Sequence, residues 1–233
     1  MKKISRTYKD LLELFYPSLC ITCGERLVSH EQYICMKCWL DLPVTNFHLN
    51  SENNVARLFW GRVNIENATS YFFYRKGSRY QKLIHFIKYR GLKELGYEAG
   101  IHFGNLLSVS ENYKSVEMVV PVPLHPKKEK KRGFNQSEWI ARGIAVRYNL
   151  SVIAGNLYRT EFNPTQTKKD RYGRWQNVEG IFKVFDPGLF EGKHILLVDD
   201  VITTGSTLEA CASALLKLQG TRVSIASLAV SYL

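Results

Sequence analysis

Three absences narrow the function of this 233-residue chain before any motif is weighed. No segment approaches the ~18 consecutive apolar residues that a membrane-crossing helix needs, so no transmembrane segment is expected. Met1-Lys2-Lys3-Ile4-Ser5 is basic but leads into no apolar stretch, so it does not read as a secretory signal, and a cytoplasmic location is expected. Glycine occurs 16 times, yet never in the Gly-x-x-x-x-Gly-Lys order of a Walker loop or the Gly-x-Gly-x-x-Gly order of a dinucleotide fold. Cysteine is scarce too. Of five, only Cys211 lies beyond residue 38, at an apolar helical spacing with Leu208 and Leu215 that marks it as core.

What the chain has in excess is positive charge. Its net charge is +11, and residues 61–135 alone carry 14 Lys/Arg against 6 Asp/Glu. A field of that sign draws phosphate groups, on a small substrate or on a nucleic acid, without choosing between them. With 45% hydrophobic residues the chain can bury a substantial core, in one large domain or one domain plus a small accessory unit.

The accessory unit is marked by Cys20-Ile21-Thr22-Cys23 and Cys35-Met36-Lys37-Cys38. Two Cys-x-x-Cys knuckles can bring four thiolates around one tetrahedral ion, a closed set that serves structure rather than catalysis. Zinc is the expected ion; iron also fits four thiolates. Two disulfides are a competing reading that a reducing compartment disfavours. A redox Cys-x-x-Cys is another, disfavoured because that motif comes singly beside a βαβ unit. Tyr8 to Phe15 reads as a short amphipathic helix before this unit, Pro43 closes it, and polar residues 45–54 read as a linker. The expected division is 1–50 for the helix and double-ribbon-like unit, and 51–233 for the main domain.

Ile195 to Thr207 is the most informative stretch, Ile-Leu-Leu-Val-Asp-Asp-Val-Ile-Thr-Thr-Gly-Ser-Thr. A buried-type strand runs into Asp199 and Asp200, and a hydroxyl-rich loop then opens a helix. Carboxylates at the carboxyl end of a strand and backbone N–H groups at a helix start suit a ligand bearing both sugar hydroxyls and a phosphate. Val116 to Val122 reads as a second core strand. Pro121, Pro123 and Pro126 then predict an extended, turning exit into Lys127-Lys128-Glu129-Lys130-Lys131-Arg132-Gly133-Phe134-Asn135-Gln136-Ser137. Strands are also predicted at Ala68 to Tyr74, near Leu157 and from Arg222 to Val230. Helices are predicted through Leu83, Ile84 and Ile87, through Ile140 and Ile144, and after Thr207. His85 and His102 fall in helical segments without a second ligand and read as surface or capping residues.

The Ile195–Thr207 stretch resembles the 5-phosphoribosyl-1-pyrophosphate (PRPP) motif of type I phosphoribosyltransferases. Pro-Val-Pro-Leu-His-Pro…Arg-Gly-Phe-Asn-Gln-Ser, with the cysteine knuckles, narrows the resemblance to the ComF family. So does a block through Arg159, Gln166, Arg171, Arg174 and Trp175. The resemblance implies an α/β fold, a mostly parallel sheet with flanking helices, plus the small zinc unit. It implies ribose hydroxyls on Asp199 and Asp200, and a 5-phosphate cradle of Val201, Thr203, Thr204, Gly205, Ser206 and Thr207. It further implies a pyrophosphate loop of Lys131, Arg132, Gly133, Asn135 and Gln136, a lid carrying Gln166, Arg171 and Arg174, and magnesium accompanying PRPP. Residues 45–70 match no motif of the family. No residue stands out as a general base for an acceptor. Two functions are therefore expected of such a chain: PRPP binding in DNA uptake, with single-stranded DNA and the competence machinery as partners, or PRPP-dependent transfer to a nucleobase or amine.

Overall fold

Residues 194–202 and 222–231 form the two central strands, because aliphatic runs of this kind are buried only in a sheet covered on both faces. The computed structural model describes residues 16–160 and 181–231. The helix expected over Tyr8–Phe15 and the lid residues Gln166, Arg171 and Arg174 lie outside the described residues. In chain order the elements are α1 (Met36–Leu40), α2 (Asn54–Arg57), β1 (Ala68–Tyr74), α3 (Gln81–Tyr89), α4 (Lys93–Ser108), β2 (Met118–Pro121), α5 (Pro126–Arg132) and α6 (Gln136–Tyr148). They continue as β3 (Ser151–Val152), β4 (Leu157–Arg159), β5 (Phe182–Val184), β6 (His194–Ile202), α7 (Ser206–Leu215) and β7 (Arg222–Ser231).

Five strands make one parallel sheet in the order β1-β7-β6-β2-β3. One face packs on α3, α4 and α6 through Leu83, Ile87, Phe103, Ile140 and Ile144. The other packs on α2, the turn after it and α7 through Val55, Phe59, Leu208, Cys211 and Leu215. Cys211 is wholly buried, as expected. Helices α4 and α6 meet backbone to backbone, since a Cβ added to Gly100 would stand 2.3 Å from the Ile140 carbonyl oxygen, and one added to Gly143 2.1 Å from that of Tyr97. That close approach fixes where the N-terminus of α6 points, which matters below.

The topology creates the crevice. β2 leads to β3 on one side of the sheet and β6 leads to β7 on the other, so the chain switches direction between β2 and β6. Open α/β sheets bind ligands outside the strand carboxyl ends at such a point. The β2–β6 ladder ends at Pro121 opposite Val198, while β6 continues through Asp199 to Ile202. The ladders of β7 with β1 and with β6 also skip Leu228 and its opposite numbers Tyr71 and Asp200. Along that row the two-residue alternation slips: Leu228 and Ala229 pack into the same cluster, as do Tyr71 and Phe72.

Four expectations need correcting. The strand at Leu157 is outside the parallel sheet and pairs antiparallel with β5, since only Leu157 and Phe182 of these short strands are buried. Residues 126–132 form a helix rather than an extended exit. Pro126 takes its first position, where a fixed φ and a missing N–H do no harm, and the His125 ring caps it. Residues 45–54 are not a free linker. Thr45 N–H donates to the Tyr71 carbonyl (2.9 Å), and the buried Asn53 amide donates to the carbonyls of Phe47, Asn50 and Ala68. His102 is half-buried rather than freely exposed, for its ring stacks on Trp39 with centroids 4.3 Å apart, and burial lowers its pKa.

Candidate functional site

The Thr203–Thr207 loop turns because Gly205 adopts φ +75, a left-handed conformation that suits glycine. A Cβ there would lie 3.1 Å from the Phe59 ring, so the ring closes the loop from below. Thr203, Thr204, Ser206 and Thr207 are exposed around a concavity of about 50 Å3, at the N-terminus of α7 where no side chain caps the helix. Arg62 braces the loop from behind. Its guanidinium donates to the carbonyls of Leu58 (2.8 Å) and Thr204 (3.0 Å) and pairs with Glu209 on α7.

Asp199 and Asp200 are adjacent in the strand but held by different elements. Asp199 Oδ1 accepts from the Ser137 hydroxyl at the start of α6 (2.9 Å) and from the Asp200 N–H (2.8 Å). Burial and the neighbouring Asp200 carboxylate push its pKa up to about 7, against those two hydrogen bonds. Asp200 Oδ1 lies 2.8 Å from Lys88 Nζ on α3. Its Oδ2 is buried with no hydrogen-bond partner among the described residues. A buried acceptor left open beside a paired one is a place for a ligand hydroxyl.

The basic segment meets these acids across the crevice. A cleft of about 280 Å3 is lined by Asp199, Asp200, Val201 and Thr207 on the β6 side, and by His125, Lys128, Arg132 and Gln136 opposite, with Arg159 and Lys88 also on its wall. Arg132 pairs with the Gln136 amide oxygen and lies over the Tyr89 ring, 5.6 Å from its centroid, so its charge is aimed rather than free. Lys131 lines an adjoining basin of about 330 Å3 with Lys88, Tyr89, Gly91, Lys128 and Arg132. Gly133 and Asn135 shape the chain instead. Gly133 closes α5 at φ +84, while Asn135 caps α6 and donates to the Val122 carbonyl (3.0 Å).

Sequence reasoning missed Phe59, Arg62, Lys88 and Tyr89 as parts of this site. The Lys88-Tyr89-Arg90-Gly91 turn was a visible basic and aromatic signal at a helix end, but nothing local says that α3 ends above β6. Phe59 and Arg62 fall within the stretch that matches no motif.

A second centre lies in the amino-terminal cysteine unit. The sulfurs of Cys20, Cys23, Cys35 and Cys38 all lie within 4.8 Å of one another, three of the four residues being buried. Cys23 Sγ and Cys35 Sγ are 3.7 Å apart, too far for a disulfide and close to the ~3.8 Å edge of a tetrahedron with ~2.3 Å metal–sulfur bonds. Burial opposes a thiolate at Cys20, but backbone N–H groups of Cys23, Cys35 and Thr22 outweigh it and lower its pKa to about 6. Burial pushes the Cys35 and Cys38 thiols up instead, unless a cation lies among them. The donor set therefore fits a closed structural zinc ion. The unit packs on the sheet through Trp39 and Leu42, and Val44 bridges Phe72 of β1, covering that edge strand.

Two regions of the chain match known domain families. Residues 130–231 match the phosphoribosyl transferase domain, and residues 11–48 match the double zinc ribbon domain. The chain is 31% identical over 106 residues to Competence protein F of Haemophilus influenzae, covering 45% of this chain and 46% of that one. It is 32% identical over 101 residues to DNA utilization protein YhgH of Escherichia coli K12, covering 43% and 44% respectively. It is 27% identical over 210 residues to Competence protein ComFC of Bacillus subtilis, covering 90% and 82%. The matched region is thus about half the length of the first two relatives and most of the third. Among the described residues no helix is long and apolar enough to cross a membrane.

Proposed function

The chain belongs to the ComF family of proteins with a type I phosphoribosyltransferase fold and an amino-terminal zinc ribbon, and we propose that its cleft binds PRPP with magnesium in the service of DNA uptake. The observation that carries this reading is the meeting in one cleft of Asp199, Asp200 and Thr207 with Arg132 and Gln136. The 5-phosphate takes the concavity over Gly205, where backbone N–H groups and the α7 dipole favour an anion. The ribose hydroxyls donate to the paired acids, with Asp200 Oδ2 as an open acceptor. The diphosphate extends toward Lys128 and Arg132. Magnesium, when bound with PRPP, neutralises diphosphate charge, and Asp199 and Asp200 are the hard oxygen donors available to it.

The names of the relatives, Competence protein F and DNA utilization protein YhgH, support a role connected with DNA. Single-stranded DNA is read onto α5, none of whose residues is buried and which carries Lys127, Lys128, Lys130 and Lys131. The alternative, catalysed transfer from PRPP to a nucleobase or amine, needs a group near the ribose that takes a proton. His125, the only imidazole lining this cleft among the described residues, accepts the Lys127 N–H at Nδ1 (3.2 Å). That leaves Nε2–H of the neutral ring as a donor, better suited to a phosphate oxygen than to an acceptor's proton. His125 is therefore a poor base, and the transfer reading would have to use Asp199, whose carboxyl pKa is pushed up to about 7 in the same cleft. Binding is the reading that needs no such step.

Calorimetric titration of PRPP with magnesium tests it. Wild type is expected to bind and Asp199→Asn/Asp200→Asn to lose binding; equal affinities would overturn the assignment. Pyrophosphate release with a panel of nucleobases and amines would instead establish the transferase. Neutralising the four lysines of α5 should lower single-stranded DNA affinity and flatten its salt dependence by up to ~0.7 per lost phosphate contact.

A further inference from the structure

We propose that Lys88 is an exchangeable counter-ion, neutralising Asp200 while the cleft is empty and passing to the diphosphate of PRPP when the ribose hydroxyls take over Asp200. The inference rests on the PRPP reading and adds to it a positioning residue that selects for the diphosphate. Lys88 sits in the last turn of α3, whose backbone is fixed by the buried Leu83, Ile84 and Ile87. Its Nζ is 2.8 Å from Asp200 Oδ1, with the two side chains 22% and 7% exposed, so the pair is mostly out of water. Yet Lys88 also lines the neighbouring basin with Lys128, Lys131 and Arg132. Its flexible four-carbon stem reaches either place without moving the helix.

Charge decides which place it takes. Without an anion in the basin, three other cations repel the ammonium and Asp200 attracts it. Once a ribose hydroxyl and magnesium satisfy Asp200, that attraction weakens, and a diphosphate reverses the sign of the basin. A ligand with a ribose and 5-phosphate but no diphosphate must displace Lys88 and gives it nowhere to go. The contact therefore works against ribose 5-phosphate and in favour of PRPP, a specificity built partly on repulsion.

The test is to titrate PRPP and ribose 5-phosphate, each with magnesium, into wild type, Lys88→Met, Lys88→Gln and Lys82→Met. Lys88→Met is expected to lose about 30-fold in PRPP affinity, the scale for removing one member of a desolvated charge pair. Its ribose 5-phosphate affinity should be unchanged or stronger. Lys88→Gln, whose amide can still donate to Asp200 and hold the fold, should show the same ligand-selective loss. Lys82→Met removes the same charge from an exposed position on α3 and should match wild type. Equal loss for both ligands, or no loss for either, in the Lys88 variants overturns the proposal while leaving PRPP binding intact. A wild type that binds neither ligand overturns the PRPP reading itself, and the role of Lys88 with it.

Discussion

The cysteine unit and the Thr203–Thr207 loop are both written as short local motifs, yet they are held in opposite ways. The cysteine unit is largely its own scaffold. Cys20 N–H donates to the Glu25 carbonyl, Gly24 N–H to the Cys20 carbonyl, and Glu31 accepts from both Val28 N–H and Met36 N–H, all within the segment that carries the ligands. The Thr203–Thr207 loop borrows its frame from far away. Its glycine rests on Phe59 and its Thr204 carbonyl is tied by Arg62, 142 residues earlier in the chain. A metal site can be closed by local chain and one ion. A loop that is to hold a phosphate, as proposed for this one, must leave its N–H groups open for the ligand, so other elements have to brace it.

The largest expected effect comes from the metal. A structural zinc contributes on the order of 10 kcal/mol to the folding of a small site. Cys20, Cys35 and Cys38 share a cluster with Leu83, Ala99 and Phe103 of the main domain. Chelation, or Cys20→Ser/Cys38→Ser, should therefore lower the melting temperature of the whole chain; an unchanged main transition would show the unit to be independent after all. Metal analysis of untagged protein should return one zinc per chain.

Next in size is the charge on Asp199. Its pKa rises from 3.8 to about 7 on folding, so ionisation works against the folded state. The penalty is absent below about 3.8 and complete above about 7. Asp199→Asn should consequently gain stability relative to wild type as pH rises through that window, by a few kcal/mol at most, as read from denaturant titrations at the two ends. Wild-type PRPP affinity should rise over the same range as the carboxylate forms.

Smaller effects probe the bracing of the loop. Gly205→Ala forces a side chain into a left-handed conformation and against Phe59, costing about 1–2 kcal/mol in melting experiments and weakening PRPP binding. Arg62→Ala removes a partly exposed ion pair, worth under about 1 kcal/mol of stability. Its clearer signature should be a several-fold weaker PRPP titration with little change in melting. If Arg62→Ala leaves PRPP affinity unchanged, the loop is as self-sufficient as the cysteine unit.

Much of the fold was legible because its signals are periodic. The β1 limits coincide with the predicted Ala68–Tyr74, and β6 and β7 lie where the aliphatic runs placed them. The helical spacing of Leu83, Ile84 and Ile87 marked α3 correctly. The failures came where local rules compete. Proline signalled an exit at Pro126 but also suits a helix's first turn, and the His125 cap decided the matter. Leu157 had a strand's character but too little apolar surface to enter the main sheet. Polar residues 45–54 looked like a linker because the partners that satisfy Asn53 lie elsewhere.

The sequence by itself determined which chemistries are present: four thiolates at knuckle spacing, two carboxylates at a strand end, a glycine-centred hydroxyl loop and a run of lysines. Backbone geometry makes each of these local. Only the tertiary structure decided which of them meet. Sheet order opened a crevice between β2 and β6, the glycine contact of α4 with α6 aimed Ser137 at Asp199, and α3 brought Lys88 over Asp200. Those contacts join residues 62 and 112 positions apart, and no periodicity in the chain encodes such distances. They follow from how helices and sheet pack, which is a property of the whole core.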